Sequence, residues 1–194
     1  MKKKGGMVFR LSKSMPFYPR AVHRSMYFKW TINEKMMFAA LMSALAAVLQ
    51  SAGGFLPGVG FFISPLATAP VLMATLITFR WGSMSYLLTI FLLVLIQPSE
   101  LFIFPFTTGV LGIALGWALR TQSNRLNAIF VGGIALFIGI CIPLYVLGFP
   151  VFGPGVSSFN WTTIIIILAF SQIYSWIWLE FGLLLIRRLK RFLT

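Results

Sequence analysis

Three carboxylates serve the whole of this 194-residue chain: Glu34, Glu100 and Glu180. Glu100 stands apart, because no Lys or Arg lies between Trp81 and Leu119. An ionisable group in apolar surroundings is costly and is a functional candidate by default. The chemistry open to it is recognition: charge or hydrogen bonding offered to a cationic or hydrogen-bonding ligand. The plain alternative is a solvated carboxylate in the turn after Pro98. Glu180 has a simpler reading, near an Arg-rich helix end where it can snorkel and pair with Arg187 or Arg120. Neutral polar groups extend the set. Gln50, Gln97, Asn160 and Trp161 fall at the same ends of their segments as Glu100, and Gln172 falls near the middle of the last one. We expect Gln50, Gln97, Glu100, Asn160, Trp161 and Gln172 to form a substrate-binding set, since small-molecule sites join apolar walls to a few placed polar groups. Gln172 is also suited to bonding a neighbouring helix, and Trp161 to anchoring at an interface.

Catalysis is not expected. His23 lies in a basic tail, Cys141 in an apolar run, and the chain has no Asp. Glu100 and Glu180 belong to opposite ends of their segments and cannot act as an acid–base pair. No Gly-rich Lys motif cradles a phosphate, so ATP hydrolysis by this chain is not expected either. No catalytic residue, metal site or cofactor is assigned.

The elements that must position these groups are membrane helices. The chain is 59% hydrophobic and 10% charged, against roughly 25% charged in soluble domains. Its net charge of +13 is carried by four clusters: Lys2 to Lys35, Arg80, Arg120 with Arg125, and Arg187 to Arg191. Three pairs of apolar segments lie between them, and the turn inside each pair holds no Lys or Arg. Basic residues flanking spanning helices stay cytoplasmic. The sequence therefore predicts an all-α polytopic membrane protein with six transmembrane helices and both termini cytoplasmic. The charge reads as orientation signal and contact with anionic lipid rather than nucleic-acid binding. Residues 1–32 form a basic cytoplasmic tail and 33–190 a six-helix transmembrane domain. The expected helices are 33–52, 66–79, 81–96, 101–119, 126–147 and 161–186, the fourth interrupted by Pro105 and the fifth by Pro143. Gly53-Gly54 is expected to end the first, and the Gly/Pro-rich stretches 55–65 and 148–155 to form irregular outer loops. A cleaved signal peptide ending near Ala44-Leu45-Ala46 is disfavoured by the long basic region before it.

The first helix carries small residues at helical spacing, Ala39, Ser43 and Ala47 on one ridge and Ala40 and Ala44 on the next. Small residues let backbones approach closely in lipid. Ala40, Ser43, Ala44 and Ala47 are thus candidates for docking another membrane protein, or for packing within the chain. Gly109, Gly112 and Gly116 form a similar smooth face, expected to pack internally.

This pattern resembles the substrate-binding S components of energy-coupling factor transporters. The resemblance covers residues 35 to 190 and rests on six helices, the alanine ridge and the irregular apolar stretch after it. It implies a subunit that captures a vitamin-like solute on the extracellular side. Ala40 to Ala44 would contact a transmembrane T component, and two partner ATPases would drive transport across a bacterial inner membrane. No motif specifies the substrate. Two other classes stay open: a structural membrane scaffold of the rod-shape protein D type, though this chain lacks Asp, and a self-sufficient small permease.

Overall fold

The computed structural model describes residues 30–56, 58–122, 124–148 and 160–193, the last six by backbone alone. The basic tail up to residue 29 and most of the second Gly/Pro-rich stretch lie outside the described residues. Six principal helices make up the fold: α1 (Ile32–Phe55), α2 (Thr68–Ile77), α3 (Phe79–Ile96), α4 (Thr108–Thr121), α5 (Arg125–Cys141) and α6 (Trp161–Leu193). Five helical segments are long and apolar enough to cross a membrane: Ile32–Phe55, Gly60–Ile77, Phe79–Ile96, Arg125–Val146 and Trp161–Arg187. The chain is that of an all-helical, multi-pass membrane protein.

Local chemistry sets the ends of these helices. Thr31 caps α1: its hydroxyl accepts from Glu34 N at 3.3 Å, and Thr31 N donates to the Glu34 carboxylate at 2.7 Å. This reciprocal box satisfies two of the amides that a helix start leaves unpaired. Gly53-Gly54 does not end α1, which continues to Phe55. The expected irregular loop is also shorter than 55–65. After Gly58, in the left-handed region at φ +79°, a helical turn (Gly60–Ile63) and a 3-10 turn (Ser64–Ala67) lead directly into α2.

The fourth helix differs most from its expected range of 101–119. Regular α-helix begins only at Thr108, after a 3-10 turn (Pro98–Phe102) and an irregular stretch. Pro105 explains the delay, since it donates no amide and disfavours helix in the residue before it. Tyr86 Oη donates to the Pro105 carbonyl at 3.0 Å, and its ring stacks on Phe104 at 5.8 Å. Phe104 is fully buried, so protein covers this irregular backbone, as irregular backbone at membrane depth requires. At 14 residues α4 rises about 21 Å, short of the roughly 30 Å hydrocarbon core. It is the one principal helix that falls in none of the five candidate spans. The fifth segment passes into a π-turn at Ile142–Val146, with Pro143 in it. The sixth runs past residue 186 to Leu193.

α2 lies at the centre, against α1, α3 and α4, while α5 bridges α4 to α6. Two apolar cores follow. One gathers Leu72, Leu76, Leu111, Leu115, Leu136 and Leu179 from α2, α4, α5 and α6. The other gathers Ala46, Ala67, Val71, Leu93 and Phe104 around α1, α2 and α3. Gly112 and Gly116 do pack internally: a Cβ on either would strike Val71 or Thr75 of α2. Glu180 pairs with Arg125 at 3.2 Å rather than with Arg187 or Arg120, because α6 lies along α5.

Candidate functional site

Glu100 is buried, at 5% exposure, so the solvated-turn reading of it does not hold. Its Oε2 accepts a hydrogen bond from Gln50 Nε2 at 2.7 Å. Gln50, fully buried on α1, accepts at Oε1 from Thr108 Oγ1 at 2.8 Å. A carboxylate, an amide and a hydroxyl from three separate elements thus form one chain of hydrogen bonds. α1 delivers Gln50 from within its last two turns, the 3-10 turn after α3 delivers Glu100, and the first residue of α4 delivers Thr108. Burial pushes the Glu100 carboxyl above the ordinary carboxylate range, and the Gln50 hydrogen bond partly opposes the rise.

Gly53 and Gly54, by propensity a helix stop, are what lets this cluster close. A Cβ on Gly53 would lie 2.7 Å from Glu100 Oε1 and 3.2 Å from Ser64 Cβ. A Cβ on Gly54 would run into the Gln97 side-chain amide. The end of α1 is therefore a smooth seat on which the polar side chains of residues 97–100 lie. Gln97 Nε2 donates to Ser99 Oγ at 3.0 Å on the same turn.

Of the six residues expected to bind substrate, the fold brings Gln50, Gln97 and Glu100 together. It does not bring Asn160, Trp161 or Gln172 to them. Those three belong to α6 and its cap, which pack chiefly along α5 and have no substantial contact with α1 or the 98–102 turn. Asn160 caps α6, accepting from Thr162 N at 3.2 Å. Trp161 is exposed at 73%. Gln172 lies on Gly133 of α5, and its Oε1 is buried with no hydrogen-bond partner. Between the two readings of Gln172, its position is in a helix–helix contact.

Thr108 is the cluster member that the sequence reading missed. The signal was a Thr-Thr-Gly step opening a helix two residues after Pro105, where hydroxyls serve at helix starts.

The four docking candidates on α1 separate into two pairs. Ser43 and Ala47 are wholly buried inside the chain, which corrects their assignment to a partner-facing surface. Ser43 Oγ donates to Ser85 Oγ of α3 at 3.0 Å, and Thr89 Oγ1 donates to the Ser43 carbonyl at 3.3 Å. Ala40 and Ala44 are exposed on the outer face of α1, beside Leu41, Leu45 and Val48.

No family model, curated protein or solved structure matches this chain.

Proposed function

We propose that this protein is the membrane-embedded substrate-binding subunit of a micronutrient uptake transporter, similar in role to the S components of energy-coupling factor systems. The observation that carries this reading is the convergence of Gln50, Glu100 and Thr108 at one end of the helical bundle, where Glu100 is the one buried carboxylate among the described residues. Buried polar groups are expensive without partners, and a bundle built only for shape has no need of a buried carboxylate. In this reading the chain crosses the membrane six times with both termini in the cytoplasm. α4, with the protein-covered stretch before it, makes the crossing that its length alone does not. The Glu100 end then faces outward, towards solute. Ala40 and Ala44 offer the flat outer ridge on which a transmembrane partner and its ATPases would dock.

The test is equilibrium binding of a vitamin and amino-acid panel to purified protein, wild type and Glu100→Gln side by side. Capture of a T component and ATPases by Ala40→Leu and Ala44→Leu variants accompanies it. A panel member that binds wild type, weakened roughly ten- to hundred-fold by Glu100→Gln, supports the reading. So does a folded, monodisperse ridge variant that has lost its partners. A protein that binds nothing with or without partners would instead be a structural scaffold.

A further inference from the structure

We propose that the Glu100 site selects ligands bearing a protonated amine or a related N–H-carrying organic cation. This deepens the binding role proposed above and rests on it.

Glu100 has no basic partner among the described residues. Among the described residues the ion pair formed by an acid is Arg125 with Glu180, at the far side of the fold. The elements packed against the 98–102 turn are α1 and α3. Their charged residues are Glu34 and Lys35 at the start of α1 and Arg80 at the start of α3. Lys35 is fifteen residues from Gln50 and Arg80 sixteen from Ile96, so each is more than about 20 Å away along its helix. Tyr86, the other titratable group on these elements, gives its hydroxyl to Pro105.

Within the carboxylate the two oxygens differ. Oε2 is taken by Gln50. Oε1 lies over Gly53, against which Ser64 also packs, and has no hydrogen bond among the described residues. An ionised carboxylate has about four acceptor positions and no donor. What it lacks here is therefore an N–H donor bearing positive charge, the kind of partner that gives the stronger class of hydrogen bond.

Other ligand classes fit worse. Hard cations demand about six oxygens, whereas this cluster supplies one carboxylate plus a hydroxyl and an amide oxygen already bonded to each other. Among the described residues no group of three His, Cys, Asp or Glu gathers around it. Among the described residues an anion would meet a buried carboxylate and no nearby Lys or Arg. Exposed aromatic rings stand at the same end. Phe55 closes α1, and Phe61 and Phe62 sit on the turn whose Gly60 packs against Ala52. Aromatic faces attract organic cations.

The experiment uses a charge series of one shape: benzylammonium, benzyl alcohol and benzoate, with purified full-length protein in lipid nanodiscs. Binding is read by calorimetry and thermal shift at neutral pH, with sodium and potassium chloride arms at matched ionic strength. Benzylammonium should bind wild type at least about tenfold more tightly than benzyl alcohol, and benzoate should not bind. Glu100→Gln should abolish that preference. The wild-type series stands by itself if the variant fails to fold. Equal binding of the three probes, an equal shift from alkali salt alone, or a preference that survives Glu100→Gln each overturns the proposal. The two readings fail separately. An anionic vitamin that binds regardless of Glu100→Gln keeps the transporter and sinks the ammonium site. Selective benzylammonium binding by a protein that captures no partners keeps the ammonium site and removes the transporter.

Discussion

Two glutamines in this fold lie in contacts opened by a glycine-bearing helix, and they have opposite fates. At the end of α1, Gln50 has both its carbonyl and its amide nitrogen engaged, between a hydroxyl and the carboxylate that Gly53 accommodates. Between α5 and α6, Gln172 presses on Gly133 with Oε1 orphaned. Nearby, Ser175 Oγ donates to the Ile129 carbonyl at 2.9 Å, so that seam already has a bond tying α6 to α5. The first seat holds an ionisable group and is wired through three elements. The second is neutral and serves closeness of approach. A polar side chain inside a membrane protein is thus informative about function when its partners are polar and drawn from distant segments. Placed against glycine alone, it reports packing.

Substitutions can break this contrast in graded steps. Gln50→Leu carries the largest expected cost, because it leaves a buried carboxylate without its donor, about 2–3 kcal/mol or more. Adding Glu100→Leu to it should recover much of the loss, since removing both partners removes the unpaired group. Denaturation midpoints of the two singles and the double form the cycle, and simple additivity would mean that the bond has no energetic role. Gly53→Val and Gly133→Val come next. Both overpack, at about 1–3 kcal/mol. Gly53→Val should also abolish ligand binding by displacing Glu100, whereas Gly133→Val should lower stability alone.

Gln172→Leu is expected to change stability by less than about 1 kcal/mol, or to raise it, because it removes an orphaned oxygen. A loss as large as that of Gln50→Leu would erase the contrast. The smallest effect is pH dependence. Burial raises the folded Glu100 pKa above its ordinary 4.5. Its contribution to stability is therefore fully present below that value and is lost as pH rises through the folded pKa. The thermal midpoint of wild type minus that of Glu100→Gln should fall as pH climbs from acid towards neutral. A difference that rises instead would mean that the site favours the ionised form even without ligand.

Apolar runs in the sequence are enough to locate the helical segments, since length and hydropathy decide what crosses a bilayer. They fail where backbone chemistry intervenes. Leu101 to Phe106 reads as helix interrupted at Pro105, yet Pro105 and the Tyr86 bond to its carbonyl accompany a chain that is not α-helical at all until Thr108. Gly53-Gly54 reads as a terminator by propensity, but the fold uses both as space for neighbouring side chains. Gln50 and Glu100 are each legible as polar groups in apolar context, though their pairing across fifty residues is not. Asn160, Trp161 and Gln172 show the complementary failure. Position along a segment gives depth, but the helix that a residue faces depends on how the bundle closes. The same limit holds for α1, where the ridge of Ser43 and Ala47 faces inward and the neighbouring ridge of Ala40 and Ala44 outward.

Thr78 alone separates α2 from α3, in an extended conformation at φ −156° and ψ 156°, with its hydroxyl accepting from Trp81 N at 3.3 Å. The consequence is mechanical. A one-residue connection has no slack, so α2 and α3 cannot drift apart or slide past one another at this end. Gly82 also brings the start of α3 directly against Thr75 of α2. A tilt of either helix must therefore carry the other with it, and the centre of the fold moves as a stiff hairpin or not at all.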